Sequence, residues 1–276
     1  VVESEATITP VVLMHGLGDA GSNPGMQSLA KTVMDKYPGS YAVAVDVANG
    51  LSSFFQHMQP QVDDFAKVVK ADPKLADGFN VVGLSQGGLI VRAYVQQYSG
   101  RDGYPAVNRL ISICGVQNGV FNCPLEVQII PFVCKLFETS PYNFLDIPLS
   151  FSDYFKDPAN ETKYLHENKY LPDINNELPA KNASYKAAIQ ALDLMYLIEA
   201  TKDTVVYPFE SEQFGGYEWG TKDTVFNLTS SAQYKQDWLG LKTLDDAGKL
   251  KFNSFVGDHL RFSDEYWNTV VLPLLA

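Results

Sequence analysis

An apolar strand pattern, Phe79-Asn-Val-Val82, runs directly into Gly83-Leu84-Ser85-Gln86-Gly87, and a helical pattern to Tyr98 follows without a break. Strand, glycine-flanked serine and helix in that order require a sharp turn. Such a turn holds the serine in a strained backbone conformation, and the flanking glycines let neighbouring chain come close. Taken alone, a GxSxG run also suits an ordinary glycine-rich turn. The strand before it and the helix after it point instead to a nucleophile elbow, with the Ser85 oxygen lifted above a sheet beside a helix N-terminus.

The rest of the chain alternates in a way that supplies such a sheet. Val11 to Met14 reads as a buried strand, and Met26, Leu29, Ala30, Val33 and Tyr37 then recur at helical spacing. Tyr41 to Val47 is strand-like, and Val62, Phe65, Ala66 and Val69 mark an amphipathic helix. Arg109 to Cys114 reads as a further strand. From Val116 to about Asn182 the pattern breaks into short pieces punctuated by prolines and rich in rings: Phe121, Phe132, Phe137, Tyr142, Phe144, Phe151, Tyr154 and Phe155. It resumes with the strands Leu194–Ile198 and Phe252–Val256 and a last helix, Glu265–Leu275. The expectation is α/β: a mostly parallel sheet with helices on both faces, in one domain over 1–276, with 116–182 as a cap-like insertion. The rings of that insertion are expected both to form its own core and to face a groove.

A serine hydroxyl is a poor nucleophile unless a general base takes its proton. In elbow-bearing folds of this kind the chain order is serine, acid, histidine. His15 and His57 precede Ser85, and His166 lies in the insertion. His259 follows the last strand, where a loop at the C-terminal edge of the sheet presents a base. Asp203, in the loop after Leu194–Ile198, is the matching acid. Asp258 is adjacent to the histidine and poorly placed to reach its Nδ1, and Asp193 lies at the wrong end of its strand. An oxyanion would be met by the backbone amides of Gln86, just after the nucleophile, and Leu17, in the glycine bend His15-Gly-Leu-Gly-Asp19. His15 shapes that bend.

Charge and cysteines narrow the setting. A net charge of -11 repels phosphate backbones and argues against nucleic-acid partners. No apolar run approaches the roughly 20 residues of a membrane span. Val1 to Pro10 has no starting Met, basic leader or long apolar stretch, so no signal peptide is read there, which leaves open whether one was removed. Cys114 reads as an apolar filler in its strand, while Cys123 and Cys134 flank a loop as either a disulfide or two reduced thiols. The sequons at Asn160, Asn182 and Asn227, together with that potential bridge, favour a secretory or lysosomal setting. No histidine pair has ligand spacing and no CxxC occurs, so neither metal nor cofactor is expected.

In order along the chain, His15-Gly-Leu-Gly-Asp19, Asn23-Pro24, Asp72-Pro-Lys74, Gly83-Leu-Ser-Gln-Gly-Gly88 and Leu110-Ile-Ser112 resemble palmitoyl-protein thioesterases, members of the α/β-hydrolase superfamily. So do Gly119-Val-Phe121, Leu171-Pro-Asp-Ile-Asn175, Leu239-Gly-Leu-Lys242 and Gly257-Asp-His-Leu260. The resemblance implies removal of long-chain acyl groups from cysteines of lipidated proteins by a lysosomal or secreted enzyme. It implies the triad Ser85, Asp203 and His259, an acyl groove under the aromatic insertion, a Cys123–Cys134 bond and a glycan on Asn182. Two departures stand out. Ala20-Gly-Ser-Asn23 replaces a cysteine pair usual in animal members, and Cys114 stands where glycine is usual.

Fatty-acylated proteins and other acyl thioesters are therefore the expected partners, and a monomer the expected state. An oxyester lipase would use the same three side chains, and a non-catalytic lipid binder would have no need of them.

Overall fold

The computed structural model describes residues 7–123 and 139–276. Six parallel strands form the central sheet: β1 (Val11–Met14), β2 (Ala42–Val45), β3 (Phe79–Leu84), β4 (Val107–Ile113), β5 (Leu194–Ala200) and β8 (Leu250–Phe255). Their spatial order is β2-β1-β3-β4-β5-β8. A short antiparallel ribbon, β6 (Gly216–Tyr217) with β7 (Val225–Phe226), lies apart from it. All five neighbouring pairs in the main sheet are parallel, so every connection must cross over a face and every loop leading out of a strand opens at one edge.

Both faces are covered, because successive side chains on each strand point oppositely. Val12 and Met14 of β1, Val81 of β3, and Met195 and Leu197 of β5 point to one side, against α2 (Met58–Ala71), α3 (Gln86–Gln97), α4 (Ala183–Gln190) and α5 (Leu241–Asp246). Val11, Leu13, Val82 and Ile198 point to the other, against α1 (Pro24–Lys36) and the C-terminal helical turns. Continuous apolar strands such as Val11-Val-Leu-Met14 are what a sheet buried on both faces needs. Each fully buried aliphatic side chain there contributes about 1.5–3 kcal/mol.

Two expectations need correction. The last segment is not one α-helix over Glu265–Leu275. It runs as α-helix over Asp264–Tyr266, π-helix over Trp267–Val271 and 3-10 helix over Leu272–Leu275. Pro273 is the physical cause: it has no N–H to bond back and its ring crowds the preceding turn. The change of pitch keeps Trp267, Val271, Leu272 and Leu275 buried together on the sheet. The strand expected to end at Cys114 ends one residue earlier, because Cys114 takes φ 51°, in the left-handed region. Glycine occupies that region without the penalty that a cysteine carries there.

Between β4 and β5 the chain leaves the sheet and forms short helices at Ser150–Tyr154, Glu161–Glu167 and Leu171–Ile174. Phe121, Phe151, Tyr154 and Phe155 are buried, and the last three join the apolar core on the α2/α3 side of the sheet instead of forming a separate one. Phe132, Phe137 and Cys134 lie outside the described residues.

Arg92 of α3 anchors this segment to the sheet layer. It is fully buried, and its guanidinium donates to Gln117 Oε1 and O, Gln96 Oε1, Asn175 Oδ1 and the Ile174 carbonyl, at 2.6 to 3.2 Å. None of these acceptors is a carboxylate, and burial lowers its pKa to about 10. Taking an ion out of water costs several kcal/mol, which these bonds must offset. Arg92→Met would strand the acceptors on Gln117 and Asn175. It is expected to lower unfolding stability by about 3 kcal/mol, read as a fall in the urea midpoint.

Candidate active site

The elbow forms as its sequence requires. Ser85 lies between β3 and α3 at φ 53° and ψ −123°, and its amide donates to the Ile113 carbonyl at 2.9 Å. Glycine is needed where the turn meets its neighbours. A Cβ on Gly83 would lie 2.6 Å from both Gly87 O and Gly88 Cα, and one on Gly87 only 2.4 Å from the His15 carbonyl oxygen. The loop after β1 is pressed against the serine as well, for a Cβ on Gly16 would meet Ser85 Cβ at 3.0 Å.

Three side chains distant in sequence meet at this edge. His259 Nε2 is 2.8 Å from Ser85 Oγ, and His259 Nδ1 is 2.5 Å from Asp203 Oδ2. Ser85 and Asp203 are buried, and the imidazole is mostly covered. Asp203 Oδ1 accepts from the amides of Val205 and Val206 at 2.7 and 2.8 Å, which leaves Oδ2 aimed at the ring. Asp258 is turned elsewhere. Its Oδ1 accepts from the His259 amide and from both the amide and hydroxyl of Thr204, tying the histidine loop to the acid loop. Those bonds, the His259 amide foremost, hold its carboxyl below the ordinary range.

The remaining histidines have other surroundings. His15 is buried, and its Nδ1 donates to the Gly16 carbonyl at 2.9 Å, which fits the expected shaping of the bend. His57 pairs with Asp153, and His166 sits on the short helix Glu161–Glu167.

Among the described residues neither of the two expected oxyanion amides has a protein acceptor. Gln86 opens α3, where a first-turn amide has no intrahelical acceptor. Among the described residues the Leu17 amide meets no acceptor, whereas its neighbour Gly18 is committed to Ser53 Oγ at 2.7 Å. The Gln86 side chain is fixed by Gln61 Oε1, to which it donates at 2.9 Å, and by Tyr154, whose hydroxyl donates to it at 3.0 Å. Gln61 in turn donates to the Ser53 carbonyl. Ser53, Gln61 and Tyr154 are buried supports of the elbow that no sequence pattern singled out.

One further group went unforeseen. Glu212, in the 3-10 turn Phe209–Gln213, is fully buried beside Asp203. Ligand atoms of Cys114, Asp203, Glu212 and His259 all lie within 4.8 Å of one another. That spacing would suit a cation, but the His259 Nδ1 and Asp203 Oδ2 atoms face each other, so the cluster has the chemistry of a hydrogen-bonded acid–base group. Near Asp203 lies a cavity of about 350 Å³ lined in part by Phe121, Tyr207 and Tyr217.

A parallel sheet with a strand–serine–helix turn, met by an acid and a histidine from later loops, defines the α/β-hydrolase class. A family model described as palmitoyl protein thioesterase matches residues 10–259, and the chain belongs to that family. Palmitoyl-protein thioesterase 3 of Dictyostelium discoideum is 40% identical, the match covering 96% of this chain and 92% of that protein. Palmitoyl-protein thioesterase 1 of Caenorhabditis elegans is 30% identical, covering 91% and 86%. Human lysosomal thioesterase PPT2 is 28% identical, covering 87% and 78%. Among solved structures, an esterase of Pyrococcus furiosus superposes with a TM-score of 0.51 at 14% identity, over 99% of this chain and 84% of that one, a likeness of fold.

Two measurements test the framework of the site. Gly87→Ala drives a methyl group into backbone that has no room to yield. It is expected to cost more than about 3 kcal/mol or to prevent folding, seen as lost cooperative melting. Glu199 is half-buried on β5, and burial, then the charge of Glu210, raises its pKa to about 7. A raised carboxyl favours the folded state at low pH, and that contribution is lost as pH rises from the ordinary carboxylate range through about 7. Glu199→Gln is therefore expected to raise Tm by about 2–4 °C near pH 8, after discounting for solvent screening, and to leave it unchanged near pH 4.

Proposed function

We propose that the chain hydrolyses long-chain fatty-acyl thioesters, palmitate on protein cysteines above all, with Ser85 as nucleophile, His259 as general base and acid, and Asp203 as its orienting carboxylate. The observation that carries this is the continuous hydrogen-bonded path from Ser85 Oγ through both ring nitrogens of His259 to Asp203, in a member of the palmitoyl-protein thioesterase family. Ser85 Oγ attacks the acyl carbonyl carbon while His259 Nε2 takes its proton. The oxyanion of the tetrahedral intermediate is met by the amides of Leu17 and Gln86. The carbon–sulfur bond breaks, and the proton on His259 goes to the leaving thiolate. Water, deprotonated by the same ring, then attacks the acyl-enzyme, and the fatty acid leaves as Ser85 recovers its proton. A thiol leaves readily at its ordinary pKa of about 8.5, so the acid step is undemanding.

The segment over 116–182 is read as a cap of the single 1–276 domain, with the acyl chain lying between it and the sheet edge. Phe121, together with Tyr207 and Tyr217, offers apolar walls next to Asp203 for such a chain. Acylated proteins and peptides are the proposed partners of a monomeric enzyme. The names of lysosomal relatives favour a lysosomal site of action. Glycosylation fits the exposed sequons at Asn160 and Asn227, while Asn182 is half-buried and caps α4, its side-chain oxygen accepting from the Ser184 amide and its side chain also bonding Tyr185. A Cys123–Cys134 bond completes the proposal, Cys134 being outside the described residues.

Ser85→Ala tested on a palmitoylated peptide is expected to lose turnover to background, by at least about 10³-fold, while keeping its melting profile. On matched acyl thioester and oxyester substrates, the native enzyme is expected to show the higher kcat/KM on the thioester. A preference for the oxyester would make the protein a lipase.

A further inference from the structure

We propose that Glu212 is a positioning residue of the catalytic acid: it stays protonated and gives its proton as a hydrogen bond to the Asp203 carboxylate. This deepens the hydrolase reading above and rests on it.

The argument begins with unmatched oxygens. Glu212 Oε2 accepts from the Ala200 amide at 3.0 Å. Oε1 is buried and, among the described residues, meets no donor. An ionised carboxylate left with a bare oxygen inside the protein loses the hydration of its charge and recovers little. Its surroundings make matters worse. It shares a 4.8 Å cluster with Asp203, whose oxygens His259 and two backbone amides already bind. Two negative carboxylates that close, both buried, repel strongly, and a single proton between them removes both the repulsion and the unsatisfied oxygen.

The proton belongs on Glu212. Asp203 has three N–H donors to stabilise its charge, whereas Glu212 has one. The groups facing Glu212 supply no counter-charge of their own. Cys114 comes from the end of β4, Glu199 from β5, Asp203 from the loop after β5 and His259 from the loop after β8, with the imidazole already bonded to Asp203. Burial, and then the charge of Asp203, push Glu212 well above the ordinary carboxylate range, and burial likewise keeps the Cys114 thiol neutral.

An O–H donor at that point holds the plane of the Asp203 carboxyl, so that Oδ2 stays on the Nδ1 axis of His259. When pH rises far enough to ionise Glu212, the donor is lost and repulsion replaces it. Activity then falls through misplacement of the acid, with no change in Ser85 or His259 themselves.

The test compares kcat/KM against pH for the native enzyme, Glu212→Gln and Glu212→Met on a palmitoylated peptide, with Ser85→Ala as the zero. Glutamine keeps both halves of the role, since its carbonyl accepts from Ala200 and its amide donates to Asp203, but it does not ionise. The expected result is near-native activity in Glu212→Gln at low pH, and activity retained at the alkaline pH where the native enzyme declines. Glu212→Met is expected to lose about ten- to hundredfold in kcat with KM little changed. In the infrared, a carboxylic-acid carbonyl band of the native protein should vanish in Glu212→Gln. Alkaline limbs that coincide in native and glutamine enzymes, or a glutamine variant as impaired as the methionine one, would overturn the proposal. Should Glu212→Met not fold, the glutamine pH profile and the infrared band decide alone. Turnover surviving in Ser85→Ala would instead overturn the underlying assignment of the nucleophile, whatever the Glu212 variants do.

Discussion

The backbone of Ser85, at φ 53° and ψ −123°, is a conformation that a side-chain-bearing residue adopts only when its surroundings force it. Here the forcing comes from both sides. β3 is hydrogen-bonded between β1 and β4, and α3 starts in the next residue, so the chain has no length in which to relax. The clearance for this turn depends on the missing side chains of Gly83 and Gly87, whose neighbours are backbone atoms of the first turn of α3 and of the end of β1. The reward is positional: the serine oxygen stands clear of the strand edge, within reach of loops from β1, β5 and β8.

Those loops are themselves held by polar contacts that cost little flexibility. Thr204 bonds Asp258, so the acid loop and the histidine loop move as one. Ser53 bonds the amide of Gly18 while its carbonyl accepts from Gln61, and Gln61 bonds Gln86, so the bend after β1, the start of α2 and the elbow share one buried network. Tyr154 extends that network into the segment between β4 and β5. A reaction that needs sub-ångström alignment gains from such supports, because each fixes a reacting group without occupying the space of the substrate.

An esterase with 14% identity shares the fold at a TM-score of 0.51, whereas a thioesterase of Dictyostelium discoideum at 40% identity matches over nearly the whole length. A parallel sheet with an elbow is a general solution for lifting a serine, and many substrates can be brought to it. In this chain Arg92 and Tyr154 tie the aromatic segment between β4 and β5 down to α3 and the elbow.

Much of this was legible in the amino-acid order. Short, uniformly apolar runs such as Val11-Val-Leu-Met14 suit a strand buried on both faces, and the glycines around Ser85 specify a turn that few other residues fit. Chain order singled out His259 and Asp203, and in space the imidazole of His259 meets Ser85 on one side and Asp203 on the other. The last helix misled because periodicity reports which face is apolar and not the pitch, which Pro273 alters. Glu212 was invisible for a deeper reason. Its neighbours Phe209, Glu210, Ser211 and Gln213 give it no spacing or motif, and an acidic side chain in a polar stretch reads as solvated. Local sequence determines backbone preference and the side chains' intrinsic chemistry. Burial, and with it the protonation of a carboxyl, depends on atoms brought in from β4, β5 and the loop after β8, and only the folded chain assembles those.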